Sequence, residues 1–396
     1  MNKINEQILN RGVASIYPSR DFLKSKLEKG EKLTIYLGID PTGPDLHLGH
    51  AIPVKKMSEF QKAGHKIILL LGDFTAMIGD PTDKSAARKQ LTKMEVLNNL
   101  KGYKKQLSKI ISFSGKNKAE LKFNSKWHSK MKFEDVLSLA SQMTVQQMLE
   151  RDMFKKRMKE GKPIFIHEFM YPLMQAYDSV AMNVDGEIGG NDQTFNMLCG
   201  RDMIKNMKGK EKFVVTMKLL EDPSGKKMGK TEGNMVTISD KPEDMYGKVM
   251  SWTDGMIVTA FELCTNVDMF AVKKIEDKLK DKNANFKEHK MKLAREIVST
   301  FCGPKQAELA EEKWEKTFSK KETPEDVEEI KTQKDTLLVD VMISGKIVSS
   351  KSDFRRLIEG GAITRLEDNT KIEDFNQKSK EGVYRVGKKR FVKIIF

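Results

Sequence analysis

A strand–helix–strand unit near the amino terminus constrains the fold more than any other feature of this sequence. The alternating run 32–39 (KLTIYLGI) and the apolar run 66–73 (KIILLLGD) both predict strands. Between them, apolar residues at helical spacing over 48–64 predict a helix that ends at Gly64. Two strands joined by one helix form the βαβ unit of a parallel sheet, which helices cover on both faces. The unit therefore predicts an α/β fold with a doubly wound, Rossmann-like sheet.

Length and composition indicate a soluble protein with several domains. The chain has 396 residues, enough for two or three domains, and is 32% charged and 39% hydrophobic. The apolar run 67–71 (IILLL) is far too short to cross a bilayer, and the first residues lack a secretory signal, so we expect a cytoplasmic protein without membrane association. Three scattered cysteines in no metal spacing predict reduced thiols and no protein-bound metal.

Basic residues are concentrated at two places. The net charge is +15, and residues 101–132 carry ten lysines against the single acidic residue Glu120. A second basic cluster lies in the last dozen residues, between Arg385 and Lys393. A lysine-rich solvated surface would explain the total charge, but clustering of this kind favours a surface that contacts the backbone of a nucleic acid.

The elements that follow the βαβ unit predict a chain in three parts. Three helices and then a strand are expected at about 92–113, 133–160, 165–182 and 212–217. After residue 240 the pattern is almost wholly helical, 320–335 is a polar linker, and two short helices followed by strands begin at 336. We predict a Rossmann-like domain at 1–240 with a helical, basic insertion at about 115–165, an all-α domain at 241–330, and a small α+β domain at 336–396.

The first motif is the pair His47 and His50, which follows the first predicted strand. If a helix begins near His47, both imidazoles lie on one face of its first turn, where free backbone N–H groups make an anion site. Imidazoles there can donate to phosphate oxygens as charge builds up in a transition state. A zinc pair would need further ligands at suitable spacing, and an isolated pair of this kind would more often be two surface histidines.

The second motif is the glycine-rich segment 225–234 (GKKMGKTEGN). Gly225 and Gly229 have three residues between them, whereas a P-loop needs four, and no strand–loop–helix pattern surrounds them. The segment predicts a loop whose lysines, Lys227 and Lys230 among them, suit a polyphosphate. An ordinary lysine-rich surface loop is the alternative.

The third motif is a polar stripe on the helix predicted over 165–182. Its residues recur at i, i+3, i+7 and i+10, and they are Glu168, Tyr171, Gln175 and Asp178. Because the remaining positions are mostly apolar, the helix should be buried, and a polar stripe on a buried helix must find partners or line a cavity. A narrow solvent-facing stripe is the alternative. This ladder of phenol, amide and carboxylate suits a small polar ligand such as an amino acid.

Two further segments carry polar residues next to glycines. In 72–88, after the second strand, Asp80 is followed by Lys84 and Arg88, and loops at the carboxyl ends of strands line the ligand crevice of a doubly wound sheet. In 186–193 (GEIGGNDQ) we predict a glycine-rich turn that bears Asp192 and Gln193, where a ribose could approach the backbone. Either segment could equally be a structural turn.

Together these motifs resemble class I aminoacyl-tRNA synthetases. HLGH (47–50) and KMGKT (227–231) look like the two signature motifs of that class. The order of YLGIDPTGPDLHLGH, GDFTAMIGDP, YPLMQAYD and IGGNDQ is similar to that of the tyrosyl-tRNA synthetases of bacterial type, and the carboxyl-terminal region resembles their S4-like RNA-binding module. The second signature departs from the family, with Gly229 and Thr231 where serines are usual.

The resemblance implies a role for each matching residue. It implies that the hydroxyl of a substrate tyrosine binds Tyr36 and Asp178, that its ammonium group binds Asp80, Tyr171 and Gln175, and that its carboxylate lies near Gln193. For ATP the implied binding residues are Gly38, Asp40, Gly190, Asp192 and Lys230. The groups implied to hold the phosphates and the leaving pyrophosphate are His47, His50, Thr42, Lys84, Arg88, Lys227 and Lys230.

The implied function is tyrosine–tRNA ligation by a homodimer, with L-tyrosine, ATP accompanied by Mg²⁺, and tRNA(Tyr) as partners. The tryptophan enzyme shares the expected fold, but an indole would not need the Tyr36 and Asp178 pair. An RNA-binding protein that has lost catalysis would not need the intact histidine and lysine sets. A small nucleotidyltransferase with an HxGH helix would not need the long basic, helical and S4-like remainder of this chain.

Overall fold

The computed structural model describes residues 3–80, 91–222, 235–281, 284–316, 327–368, 370–387 and 390–396. The chain forms two compact units, Met1–Ala307 and Glu308–Phe396. The boundary falls within one helix, and the three domains expected from the sequence stay a prediction. None of the described helices is both long and apolar enough to span a membrane.

A six-stranded sheet forms the centre of the first unit. Its strands are β1 (Val13–Tyr17), β2 (Thr34–Ile39), β3 (Lys66–Leu71), β4 (Glu120–Phe123), β5 (Gly186–Gly190) and β6 (Phe213–Met217). Their order across the sheet is β1-β6-β5-β2-β3-β4, with only the edge strand β1 antiparallel to its neighbour. From β2 the chain adds β3 and β4 on one side and β5 and β6 on the other. The predicted doubly wound parallel sheet is therefore confirmed.

Helices connect the strands of the first unit and follow the last of them, and the final helix continues past Ala307 into the second unit. In chain order they are α1 (Lys3–Asn10), α2 (Arg20–Glu28), α3 (Leu48–Lys62), α4 (Thr75–Ile78), α5 (Lys93–Leu100), α6 (Tyr103–Leu107), α7 (Ser125–His128), α8 (Phe133–Ala140), α9 (Val145–Leu149), α10 (Asp152–Lys159), α11 (Ile166–Met182), α12 (Thr194–Lys208), α13 (Pro242–Met250), α14 (Ile257–Cys264), α15 (Met269–Leu279), α16 (Phe286–Cys302) and α17 (Pro304–Trp314). Two 3-10 turns lie at Asn191–Gln193 and Asp254–Met256.

The predicted βαβ unit is present as β2, α3 and β3, with Thr34 paired to Lys66. Gly64 follows the end of α3 at φ +88°, a left-handed conformation that suits a residue without a Cβ. The helix predicted over 165–182 is α11, and it is buried as its composition indicated. Leu173, Ala176 and Val180 pack with Met203 and Ile204 of α12 in one apolar cluster.

The prediction of a glycine-rich turn at 186–193 was wrong for its first five residues. Residues 186–190 form β5, a central strand between β2 and β6. Its glycines allow close packing: a Cβ on Gly186 would lie 2.0 Å from the ring of Phe213. Pairing with the neighbouring strands gives this segment its extended conformation, which its glycine content does not predict.

Two long helices expected from the sequence are broken in the structure. The segment 92–113 contains α5 and α6, separated near Gly102, and 133–160 contains α8, α9 and α10. Thr144 begins α9, since its side chain accepts a hydrogen bond from the backbone N–H of Gln147 at 3.2 Å. The strands β1 and β4 were not predicted.

In the described residues, the second unit combines the end of α17 and two further helices with a five-stranded sheet. Its elements after α17 are β7 (Glu328–Lys331), α18 (Leu338–Ser344), α19 (Lys351–Glu359), β8 (Ile363–Arg365), β9 (Thr370–Lys371), β10 (Gly382–Val386) and β11 (Arg390–Ile395). The strand order is β7-β11-β10-β8-β9, and α18 and α19 contribute Leu338, Met342 and Phe354 to the same apolar core as Tyr384 and Val392. The helices and strands expected after residue 336 are present, and β7 lies within the segment predicted as a linker.

Candidate active site

Polar side chains converge at the carboxyl ends of the parallel strands, where ligands bind in doubly wound sheets. Asp40 follows β2 directly, and its two carboxylate oxygens accept hydrogen bonds from Thr75 Oγ1 at 2.7 Å and from the Tyr171 hydroxyl at 2.9 Å. Gly72, at the end of β3, leaves room for this carboxylate, because a Cβ there would lie 1.9 Å from Asp40 Oδ1. Burial raises the pKa of Asp40 to about 7, although both donors favour the ionised form.

Asp178 on α11 is surrounded by three donors from the segment after β4. Its Oδ1 accepts from Trp127 Nε1 at 2.8 Å and lies 2.8 Å from His128 Nε2, while Oδ2 accepts from Asn124 Nδ2 at 3.3 Å. Burial raises the pKa of the Asp178 carboxyl, and these hydrogen bonds oppose that rise. Sequence reasoning missed Asn124, Trp127 and His128, since they appear there only as part of a lysine-rich stretch.

Tyr36 is fully buried on β2, and its hydroxyl contacts a side chain of α11. Its hydroxyl lies 3.0 Å from Ser179 Oγ, which also accepts from Lys212 Nζ at 2.8 Å. Lys212 forms a buried ion pair with Glu187 of β5. Burial raises the pKa of Tyr36 well above its ordinary value, so the phenol stays protonated. The predicted tyrosine-binding partners Tyr36 and Asp178 are thus on neighbouring elements, each held by its own set of residues.

A chain of side-chain amides connects this ion pair to Asp80. Gln175 donates to Glu187 at 3.2 Å, and Asn196 donates to the amide oxygens of both Gln175 and Gln193 at 3.0 Å. Gln193 in turn donates to Asp80 Oδ2 at 2.8 Å. The structure therefore connects three of the predicted site residues, Asp80, Gln175 and Gln193. Asp80 and Gln193 are 113 positions apart in the sequence.

Arg151, which sequence reasoning missed, completes this end of the pocket. One of its guanidinium nitrogens donates to Asp80 Oδ1 at 3.0 Å, and the side chain is almost fully buried. The four residues of the predicted polar stripe on α11 have different surroundings. Tyr171, Gln175 and Asp178 contact the site residues, whereas Glu168 accepts from the backbone N–H of Phe165 at 2.9 Å and pairs with Arg157.

The two predicted histidines lie at the first turn of α3. Their rings stack with centroids 3.8 Å apart, and the backbone N–H of His47 donates to His50 Nδ1 at 3.3 Å, which leaves the proton of a neutral His50 ring on Nε2. The described residues after the second motif lie beside them. Thr237 forms a β-bridge with His47, and Ile238 N donates to Leu46 O at 2.7 Å.

The remaining predicted residues occupy the same edge of the sheet or lie outside the described residues. Thr42 is exposed two residues after Asp40, and Gly38 is exposed on β2 with open space where a Cβ would be. Gly190 ends β5, and a Cβ on it would lie 2.4 Å from Asp192 Oδ1. The residues outside the described part of the chain are Lys84, Arg88, Lys227 and Lys230.

This arrangement can hold a small zwitterion that has a hydrogen-bonding group at its far end. Asp80 and Asp40 offer acceptors for a cationic group, Asp178 offers a buried acceptor for a hydroxyl, and His47 and His50 stand at a helix amino terminus that favours anions. Among the described residues no group of three or more His, Cys, Asp or Glu side chains could hold a metal ion.

Comparisons with known proteins agree with this geometry. The family model of class I tRNA synthetases (W and Y) matches residues 28–319. The tyrosine–tRNA ligase of Carboxydothermus hydrogenoformans is 43% identical over 404 residues, covering 98% of this chain and 97% of that protein. That of Thermotoga maritima is 43% identical over 392 residues, with coverage of 98% and 96%.

Solved structures have the same fold. A C-terminally truncated mitochondrial tyrosyl-tRNA synthetase of Coccidioides posadasii superimposes with a TM-score of 0.62 at 26% identity, covering 79% of this chain and 92% of that one. The Archaeoglobus fulgidus tyrosyl-tRNA synthetase, complexed with L-tyrosine in its crystal structure, gives a TM-score of 0.61 at 20% identity, covering 78% of this chain and 100% of that one. The resemblance predicted from the motifs is confirmed, and this chain belongs to the class I tRNA synthetase family of tryptophan and tyrosine enzymes.

Proposed function

We propose that this chain is a tyrosine–tRNA ligase. It activates L-tyrosine with ATP to tyrosyl-adenylate and pyrophosphate, and then transfers the tyrosine to the 3′-terminal ribose of tRNA(Tyr). The observation that carries this proposal is the placement of two carboxylates, the buried Asp178 and the partly exposed Asp80, at the edge of the sheet that also carries the histidines at the start of α3. The names of the full-length relatives support the same activity.

The pocket would recognise both ends of the amino acid. Asp178 accepts a hydrogen bond from the phenolic hydroxyl, with Tyr36 close to it, and Asp80, Tyr171 and Gln175 receive the ammonium group, with the carboxylate near Gln193. An analogue without the hydroxyl would leave buried polar groups unpaired, which costs far more than a lost apolar contact. Tyrosyl-tRNA synthetases are a known case of this effect, rejecting phenylalanine by about 10⁵.

Adenylate formation requires positioning and charge neutralisation. The attacking carboxylate of tyrosine is already ionised, so no general base is needed, and the barrier falls when donors stabilise charge on the phosphates. We assign this to His47, His50 and Thr42, together with Lys84, Arg88, Lys227 and Lys230. Asp192 and Gly190 would take the ribose of ATP, with Gly38 and Asp40 beside them.

Magnesium would enter this site bound to ATP. Mg²⁺ commonly binds the phosphates of a nucleotide substrate, so we place it on the phosphates of ATP. It would neutralise part of their charge, and the donors named above would orient them.

The partners beyond the pocket are a tRNA and a second copy of the chain. Exposed arginines on α19, Arg355 and Arg356, suit RNA phosphates. Between α8 and α11 the large side chains of Phe133, Val145 and Ile166 are more than half exposed, and we propose that they are covered in a homodimer. A cytoplasmic location fits these partners.

The nearest alternative is the tryptophan enzyme of the same family. Its indole substrate has an N–H but no hydroxyl, so it would not explain both Tyr36 and Asp178. A noncatalytic RNA-binding protein would not need two stacked histidines beside Thr237, which follows the second motif.

Pyrophosphate exchange measured with each of the twenty amino acids tests the proposal. Exchange should depend on tyrosine, and His50→Ala should slow adenylate formation in single-turnover measurements by about 10²-fold while tyrosine affinity changes little. The matched control is His167→Ala, an exposed histidine in the first turn of α11, which should retain full activity. Exchange with tryptophan, or lost tyrosine binding in His50→Ala at an unchanged rate, would contradict the proposal.

A further inference from the structure

His128 is buried at a position where one of its ring nitrogens has no hydrogen bond among the described residues, which is energetically unfavourable. The side chain is 1% exposed, and its ring packs among Phe74, Trp127 and Tyr177, with ring centroids 5.5 to 6.1 Å away. Nδ1 is buried and has no hydrogen-bond partner among the described residues. An apolar ring would fill this space without leaving a buried polar atom unpaired, so packing alone does not explain a histidine here.

The contact that His128 does make identifies its role. Its Nε2 lies 2.8 Å from Asp178 Oδ1. A carboxylate only accepts, so the ring proton is on Nε2, and the neutral tautomer leaves the unpaired Nδ1 as an acceptor. Whichever protonation state it has, the imidazole donates through Nε2 to this one oxygen.

The donors on Asp178 are distributed unevenly between its two oxygens. Oδ1 is bound by both Trp127 Nε1 and His128 Nε2 at 2.8 Å. Oδ2 has only the longer contact of 3.3 Å from Asn124, whose Nδ2 also donates to Thr75 Oγ1 at 3.0 Å. Two short bonds on one oxygen fix the plane of the carboxylate and leave Oδ2 as the oxygen with acceptor capacity for a ligand.

We propose that His128 is a positioning residue that sets the preference for tyrosine over phenylalanine, by holding Asp178 so that Oδ2 accepts the phenolic hydroxyl of the substrate. This inference rests on the proposed function and extends it to a residue that would not itself touch the substrate. Because burial raises the pKa of Asp178, the donors on Oδ1 also help to keep the carboxylate ionised, and only an ionised carboxylate offers every lone pair to the hydroxyl.

Three substitutions separate this role from packing. His128→Phe keeps the aromatic ring and removes the donor. His128→Gln keeps an N–H donor at the position of Nε2, whereas His128→Asn carries its amide one methylene shorter and cannot reach Asp178 without a shift of the backbone. The matched control is His65→Phe: His65 is 5% exposed and packs against Phe60, away from the pocket residues.

The readout is the ratio of kcat/KM for tyrosine to that for phenylalanine, from pyrophosphate exchange by the full chain. His128→Phe and His128→Asn should lower the tyrosine value about 10- to 100-fold, the worth of a hydrogen bond to a charged group, and leave the phenylalanine value within about twofold. His128→Gln should restore most of the ratio, and His65→Phe should not change it.

Equal losses for both amino acids would assign His128 a purely structural role and overturn the proposal. So would an unchanged ratio in folded His128→Asn, verified by circular dichroism. If the unsubstituted chain showed no tyrosine-dependent exchange, the proposed function itself would fail, together with the role of His128 that rests on it.

Discussion

The buried ion pair between Lys212 and Glu187 gives a stringent test of the structure. Lys212 immediately precedes β6 and Glu187 lies on β5, with side-chain exposures of 0% and 2%. Lys212 Nζ also donates to Ser179 Oγ at 2.8 Å and lies 5.7 Å from the centroid of the Tyr36 ring. Burial lowers the pKa of Lys212, while Glu187 opposes that shift. The pair is therefore close to Tyr36, one of the residues assigned to the substrate.

Removing both members should cost less than the two single losses added together. Lys212→Met leaves Glu187 charged and buried, which predicts a loss of about 3–5 kcal/mol in the free energy of unfolding. Glu187→Gln leaves Lys212 charged and predicts a similar loss. The double variant contains no buried charge, so its loss should be smaller than the sum by at least about 2 kcal/mol.

The assay is urea unfolding followed by circular dichroism, completed as a double-mutant cycle. The control is the ion pair two residues earlier, Lys210 with Asp185, whose side chains are 28% and 26% exposed. Because solvent screens that pair, Lys210→Met should cost less than about 1 kcal/mol. A loss for Lys212→Met no larger than that for Lys210→Met, or purely additive losses for the two buried substitutions, would contradict a buried, coupled ion pair.

Two further predictions concern Asp40 and the second unit. Folding raises the pKa of Asp40 from 3.8 to about 7, so the folded state favours the protonated carboxyl. The contribution of Asp40 to the free energy of unfolding is therefore full below pH 4 and is lost as the pH rises to 7. The loss is up to about 1.4 kcal/mol per pH unit. Asp40→Asn should remove this part of the slope in urea unfolding between pH 4.5 and 7.5, and an unaltered slope would be inconsistent with the buried carboxyl. A chain that ends after Trp314 should still exchange pyrophosphate with tyrosine but charge tRNA poorly, with a shallower salt dependence of binding; undiminished charging at physiological salt would remove the second unit from tRNA recognition.

The sequence predicted those features that local patterns determine. Hydrophobic periodicity identified β2, α3, β3 and α11, because an element buried on one face repeats its apolar residues at its own period. His47 and His50 could be placed at a helix start for the same reason. The stripe on α11 likewise indicated Tyr171, Gln175 and Asp178 as residues that need partners.

Tertiary contacts determined what local patterns could not. Residues 186–190 are a strand because β2 and β6 pair with them on both sides, although five residues with three glycines favour a turn in isolation. The helix expected over 133–160 is divided into three, where a cap such as Thr144 outweighs the overall helical composition.

Local patterns in the sequence predicted a doubly wound sheet, a helix start suited to phosphate groups, and a polar stripe on a buried helix. The residues that pair with the site carboxylates became evident only from the folded chain. Trp127 and Arg151 reach their carboxylate partners across 51 and 71 positions, and Lys212 reaches Glu187 across 25. A lysine, an arginine or a histidine has no periodic signature that marks it as buried. Its burial is tolerated only because folding brings an oppositely charged or accepting group to it, and that pairing exists in three dimensions alone.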